Sequence, residues 1–384
     1  MKMTILEGQW SFGSHEIPTG RTDAIAGIAG GTLAAAGFYV LAIPLTVALV
    51  GIIWLAMLRN RRRRFAIAFG WHFAATAGPL AGLWNMGASE WLSAAVILYL
   101  LIVATAFARW NAGVVVAASM MNPWHIGSVL LAAGELWPGT GFAGLILLVV
   151  ALTIMDGGTS GVRSLCAALT VGSAAWAWSQ YSPAPAAGMT SVPLSPPAAI
   201  TRMGQDQRIL ASLEGSAATA IVTGENMIDR RDPTAMQRWC DHAARTGITV
   251  FAGVLEKDLR STVHLFSPTN CRVQPVYERL FGLPGIEGGW GIGRGVLETV
   301  NLDHRPIHWL ICFETFSPLA WLLASPKPGS AVVIIANDYW IHPVPVDTLR
   351  TKVAGAMARL LGVTAVTAES RSSRVEFQTS KARQ

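Results

Sequence analysis

The chain has 384 residues, 52% of them hydrophobic and only 14% charged, with a mean hydropathy of +0.42. This is too apolar and too sparsely charged for a protein that meets only water, so part of the chain is expected to face lipid. The net charge of +6 does not point to nucleic acid. Much of it sits in the block Arg59-Asn60-Arg61-Arg62-Arg63-Arg64, directly after an apolar run, where it reads as a membrane topology signal.

Residues 1–23 form a polar lead with Pro18 and Gly20 and without the shape of a signal peptide. Residues 24–58 contain no Asp, Glu, Lys or Arg, a run nearly twice the ~20 residues of one bilayer crossing. It divides near 37–41 into two helices, with Pro44 in the first turn of the second, where proline is tolerated. Further spans are expected at 65–84, 88–108, 111–134, 140–155 and 161–180, the weakest being 111–134, which Asn122-Pro123 interrupts. Residues 24–181 thus read as a polytopic α-helical membrane domain of about seven transmembrane helices. With seven helices and a cytoplasmic start, the arginine block, Arg109 and Arg163 all fall on cytoplasmic turns, and the turn at 85–90, without a basic residue, falls outside. That count places everything after Tyr181 outside the cytoplasm; six helices would leave it inside. His72, His125 and Glu135 are the polar groups within or near these spans. Each is either functional or hydrogen-bonded within the bundle, with Glu135 at a helix end.

Residues 182–197, rich in Pro, Ala and Ser, read as an extended linker. In 198–370 strand and helix patterns alternate. Strands are predicted at 217–222, 248–254, 261–266, 308–311, 331–336 and 363–367, and helices from Asp232-Pro233 to about Arg245, at 316–324 and at 346–361. This is an α/β domain large enough for one core. Residues 371–384 read as a polar basic tail.

The four cysteines, Cys166, Cys240, Cys271 and Cys312, form no CxxC pair or Cys/His cluster, so no structural metal is expected. Cys240 and Cys271 can pair if the domain is extracytoplasmic, which spacing alone does not decide. Cys312 comes after the apolar run His308 to Ile311, at a strand end entering a helix, where open α/β sheets usually place their chemistry. A helix N-terminus there favours the thiolate, although a buried cysteine often acts only as a small hydrophobe. A thiol nucleophile needs a base and a fixed cation or N–H donors for its oxyanion. Glu225, after the strand at 217–222, is the candidate base, and Arg279 the candidate cation. Taken singly, the first reads equally as a solvated carboxylate and the second as a surface charge.

Several motifs then carry a resemblance. Ile311-Cys312-Phe313-Glu314, Thr223-Gly224-Glu225 and Asn337-Asp338-Tyr339-Trp340 occur together with Tyr277, Arg279, Pro284 and Glu287 spaced as Tyr-x-Arg-x-x-x-x-Pro-x-x-Glu. The soluble part resembles the nitrilase, or carbon–nitrogen hydrolase, superfamily, and with its membrane part the whole chain resembles the apolipoprotein N-acyltransferases. In that family the motifs read Cys-Tyr-Glu, Pro-Glu, Asn-Asp-Ala-Trp and Tyr-x-Lys-x-x-x-x-Pro-x-x-Glu. The resemblance implies an α-β-β-α nitrilase-like sandwich after the membrane bundle, with Glu225, Arg279 and Cys312 as the catalytic triad. It places Tyr277, Glu287, Glu314, Asn337 and Trp340 around them. It also implies a thioester acyl-enzyme, a phospholipid acyl donor and no cofactor, and leaves a protein or lipoprotein acceptor unspecified. The chain departs from the family in three ways: arginine for the catalytic lysine, no proline before Glu225, and no final transmembrane helix. Arginine keeps the charge but is planar and never deprotonated. With these departures the chain resembles the TraB-type conjugal transfer proteins of transmissible plasmids. That implies conjugation-apparatus partners without direct nucleic-acid binding, and leaves open a catalytically weakened scaffold that serves for binding. The glycine-rich loop 281–291, carrying Phe281, Leu283 and Trp290, reads either as a lid against the lipid surface or as a plain surface loop.

Overall fold

The computed structural model describes residues 25, 60–85, 90–121, 128, 130, 133–183, 189–193, 210–211, 213–214, 216–269, 273–282, 292–302, 304–337, 346–369 and 373–377. The apolar run 24–58 therefore lies outside the described residues, apart from the single helical position Ile25.

The first part is helical: α1 (Arg61–Asn85), α2 (Glu90–Arg109), α3 (Ala112–Ser119), α4 (Ala133–Leu136), α5 (Ala143–Gly157) and α6 (Ser160–Gln180). Among the described residues one helix, α2, is long and apolar enough to cross a membrane, and α5 is apolar but shorter. Among the described residues the expectation of seven spans is not met, and the two spans expected in 24–58 lie outside them. The predicted span 111–134 divides into α3, of 8 residues, and α4, of 4; α1 opens on four arginines and α6 is diluted by Ser, Thr, Gly and Arg. These helices nonetheless turn large apolar side chains outward, among them Trp91, Ile102, Ile146, Leu165, Leu169 and Trp176.

One end of the bundle is tied by charge. The Arg64 guanidinium grips both oxygens of Asp156, at 2.8 and 2.9 Å, and donates to the Trp110 carbonyl at 2.9 Å. Arg163 donates to the Asp156 carbonyl at 3.0 Å. The arginines read as topology signals at 64 and 163 thus share an end. His72 is buried, with Nδ1 2.8 Å from the Ala68 carbonyl and its ring against Phe107, a contact internal to the bundle.

The second part is built on a sheet of twelve strands: β1 (Met189–Pro193), β2 (Ala220–Val222), β3 (Ile228–Asp229), β4 (Thr249–Leu255), β5 (Ser261–Phe266), β6 (Val273–Glu278), β7 (Gly295–Val296), β8 (Val300–Leu302), β9 (Arg305–Ile311), β10 (Ala331–Ala336), β11 (Thr364–Glu369) and β12 (Ser373–Phe377). The order is β7-β6-β5-β4-β2-β12-β11-β10-β9-β8, with β1 on β12 and β3 on β4. Neighbours β9, β10 and β11 run parallel, as do β2 and β4. The sheet folds over on itself, because Phe251 of β4 meets Trp309 of β9 at 5.2 Å although several strands separate them in the order.

Strand alternation sorts the layers. Ala220, Val222, Phe251, Trp309, Ile311, Val333 and Ile335 form the inner core between the two halves. Ile221, Val250, Ala252 and Val254 face outward onto helix α7 (Pro233–Thr246). Leu310, Val332 and Ile334 face outward onto α8 (Pro318–Ala324) and α9 (Val346–Leu361). The result is the four-layer α-β-β-α arrangement that the resemblance implies. α7 starts and stops where its sequence says: the Asp232 side chain accepts from Thr234 N, and Gly247 closes it in the left-handed conformation.

Strands β3, β6, β7 and β8 form where none is predicted, and two further strands form outside 198–370. Ser373–Phe377, within the expected polar tail, is a strand between β2 and β11, with Val375 opposite Val222, and so joins the two halves. Met189–Pro193, within the expected linker, pairs along β12.

The two parts meet at α9. Arg359 pairs with Glu135, the Gly139 and Gly141 amides donate to the carbonyls of Arg359 and Leu360 at 2.7 Å each, and α4 lies so close that a Cβ on Gly134 would fall 1.7 Å from the Ala356 oxygen. This docking lies at the start of α5, whereas Asp156 is near its end, roughly 20 Å away for a helix of this length. The arginine end of the bundle is therefore the end away from the sheet domain.

Candidate active site

β9 ends at Ile311 and the chain turns at once into a short 3-10 helix, Cys312–Phe316. Cys312 has a φ of +51°, in the left-handed region that L-residues avoid at a cost of ~1–2 kcal/mol. The turn is held in place from several sides: Thr315 Oγ1 donates to the Cys312 carbonyl and Trp321 Nε1 to the Thr315 carbonyl, both at 2.9 Å. Cys312 is a buried thiol outside any disulfide, aligned with the inner core.

Glu314 ties a second segment to this turn. Its Oε2 accepts from Ile311 N at 2.7 Å and Tyr277 Oη at 3.0 Å, and its Oε1 from Leu280 N at 2.5 Å and Phe281 N at 3.3 Å. Every donor but Ile311 N comes from the stretch that brackets Arg279. Burial raises the Glu314 carboxyl to about 7, against the opposing pull of these donors and of Arg279. Burial, with Glu314 alongside, also raises the Tyr277 phenol well above its ordinary value, so it stays a donor.

Glu225 and Arg279 form a buried ion pair, with Arg279 Nη1 3.2 Å from Glu225 Oε1. Ser261 Oγ donates to the same oxygen at 2.9 Å. The Glu225 amide donates to the carbonyl of Ala336, the last residue of β10, and since β10 sets Ile335 opposite Ile311, the Glu225 turn meets the sheet at the strand ends from which Cys312 emerges. Two glycines permit this crowding: a Cβ on Gly253 would lie 2.4 Å from the Gly224 carbonyl oxygen, and one on Gly293 would lie 1.9 Å from that of Arg279. Glu225, Arg279 and Cys312 are thus linked through strand ends, Glu314 and one ion pair.

A further cation, absent from the motifs, completes the site. Arg350 of α9 is fully buried; its Nη2 lies 3.9 Å from Cys312 Sγ, its Nη1 3.3 Å from Glu369 Oε1, and its guanidinium 5.8 Å from the Phe316 ring centroid. The sequence carries a signal for it. Arg350 interrupts the apolar stripe Val346, Leu349, Val353, Met357, where a charge needs a buried partner. Ser261, Gly253 and Glu369 likewise join the site from outside the motifs.

Of the other expected site residues, Asn337 is half-buried just after β10, while Glu287, Trp340 and His125 lie outside the described residues, as does most of the expected lid. Glu135 serves the junction with α9 rather than the site. Among the described residues no His/Cys/Asp/Glu cluster could hold a metal ion. A cavity of about 480 Å³ opens elsewhere, lined by Arg230, Glu256, Arg260, Glu278 and Arg294 among others. Its charges pair with one another, Arg230 with Glu256 at 2.6 Å, and Arg260 and Arg294 each with Glu278 at 2.7 Å.

No protein-family model and no curated protein matches the sequence. Among solved structures the chain is similar to a carbon-nitrogen hydrolase from Helicobacter pylori, at 12% identity and a TM-score of 0.38, over 47% of this chain and 73% of that one. It is also similar to an amidase from Nesterenkonia sp., at 13% identity and a TM-score of 0.35, over 50% and 90%. A nitrilase-superfamily protein of Saccharomyces cerevisiae is similar at 13% identity and a TM-score of 0.35, over 47% and 74%.

Proposed function

We propose that this chain is a membrane-associated thiol acyltransferase or amidase of nitrilase type. The observation that carries the reading is the convergence on one set of strand ends of a strained, buried Cys312 and the buried Glu225–Arg279 pair. In the proposed cycle the Glu225 carboxylate takes the thiol proton and the sulfur attacks an ester or amide carbonyl. Arg279 and backbone N–H groups hold the oxyanion. The C–O or C–N bond breaks, the leaving group takes the proton back from Glu225, and a thioester remains on Cys312. An amine or water then attacks that thioester and gives its proton to Glu225, the C–S bond breaks, and the proton returns to the Cys312 sulfur.

A phospholipid is the proposed acyl donor, and the outward apolar side chains of the helical part support a lipid-facing bundle of several helices. Two observations support a sheet domain outside the cytoplasm. The arginine end of the bundle is the end away from that domain. Cys240 of α7 is disulfide-bonded while Cys166 and Cys312 are thiols, and disulfides persist in oxidising compartments; Cys271 lies outside the described residues. A role in plasmid conjugation, with partners from that apparatus, is the setting proposed.

The test is incubation of the purified protein with phospholipid and intact-mass analysis. The expected result is an acyl adduct on Cys312, absent from Cys312→Ala. No adduct, together with normal plasmid transfer by Cys312→Ala, overturns the enzymatic reading. One observation favours the alternative of a weakened scaffold that binds partners: Glu225 Oε1 is already held by both Arg279 and Ser261, which lowers its readiness to accept a proton.

A further inference from the structure

We propose that Arg350 is the group that holds the Cys312 sulfur as a thiolate, so that the nucleophile is charged by a guanidinium from the helix seated on the membrane bundle. The inference rests on reading Cys312 as the nucleophile and extends it to the source of its reactivity. Arginine is never deprotonated, so a fully buried guanidinium must be met by negative charge or acceptors. Arg350 Nη1 lies 3.3 Å from Glu369 Oε1, and its Nη2 faces Cys312 Sγ at 3.9 Å. The Phe316 ring, from the same turn as Cys312, lies 5.8 Å from the guanidinium and limits its movement.

The two buried arginines then have different work. Arg279 is bound to Glu225 at 3.2 Å and tied through its neighbours to Glu314. Arg350 addresses the sulfur directly. With a second permanent cation on the thiol, activation does not depend on a lysine at position 279 that could give up a proton. During turnover the thiol proton passes to Glu225 and the sulfur keeps the electron pair, so no oxidant or reductant enters.

Alkylation of Cys312 by iodoacetamide across pH 5.5–9, in a Cys166→Ser background and read by intact mass, reports the thiolate directly. Arg350→Gln is expected to alkylate at least ~10-fold more slowly than the parent at pH 6.5, with the two converging at high pH, since the substitution removes the charge and not the thiol. Arg350→Lys, which keeps the charge, is expected to recover part of the difference. Glu369→Gln removes the carboxylate that competes for the guanidinium and is expected to shift the profile the other way, towards acid. An Arg350→Gln profile that overlays the parent's overturns the proposal. If that variant does not fold, Glu369→Gln decides: an acid shift supports the proposal, and an unchanged or alkaline-shifted profile overturns it. Phospholipid acylation is scored separately. Shifted alkylation profiles without any acyl adduct overturn the acyl-transfer reading and leave the Arg350 assignment standing.

Discussion

Glu314 makes stability a function of pH in a direction that can be worked out. The carboxyl is buried, and burial raises it from 4.5 to about 7. Such a group contributes stability that is fully present below its unfolded value and is lost as pH rises through its folded value. A rise of that size corresponds to roughly 3 kcal/mol, a sizeable fraction of the ~5–15 kcal/mol of a whole domain. The perturbation is Glu314→Gln, which removes the ionisation and keeps the shape. The assay is denaturant unfolding of parent and variant in detergent at intervals between pH 4.5 and 8.5, monitored by tryptophan fluorescence. The lost acceptor oxygen sets a constant offset, so the informative quantity is the difference between the two curves. That difference is expected to move in favour of the variant by about 3 kcal/mol as pH rises, mostly between pH 5 and 8. Parallel curves would refute the reasoning, because they would mean that the donors from Ile311, Tyr277, Leu280 and Phe281 compensate the buried charge in full.

Separate parts of the molecule support other predictions. Arg279→Met leaves Glu225 as a buried charge and is expected to cost ~3–5 kcal/mol, with Glu225→Gln in the same chain restoring most of it; equal stabilities of the single and double variants in thermal unfolding would contradict this. Gly134→Ala places a methyl against the Ala356 backbone and is expected to destabilise the protein by about 1–3 kcal/mol; an unchanged unfolding midpoint would count against the close packing of α4 on α9. Cys240→Ser is expected to lower stability by ~2–4 kcal/mol under oxidising conditions and to match the reduced parent.

The legible parts of the fold are those whose sequence carries its own period. β5, β10 and α9 are contiguous apolar or amphipathic runs, and their limits follow from composition. β6 escapes such a reading because Pro275 demotes a strand; here the register shifts between Val263 and His264, close to where the proline pairs. β12 reads Ser-Arg-Val-Glu-Phe, with no local mark of a central position, and acquires that position only by pairing with β2 and β11. In the helical part the predicted limits lie close to those of α1, α2, α5 and α6, and the exception is 111–134, which holds Asn122-Pro123 and carries α3 and α4 in place of one helix. Cys312, Glu225 and Arg279 are legible by motif and chemistry alone, since no spacing along the chain foretells that two halves of a folded sheet will face one another. Arg350 is visible as a charge on a buried stripe, but its partner at Cys312 belongs to the tertiary structure alone.

Helix α9 reaches Cys312 through Arg350 and, some nine residues on, grips α4 through Arg359. The seam between the two parts is thus a shared structural element and not a tether. Cutting the chain between them would uncover the face around Ala356 and Leu360 and free one end of the helix that carries the sulfur's neighbour. A change at Gly134 or Glu135 in α4 therefore bears on the same helix that faces the Cys312 thiol.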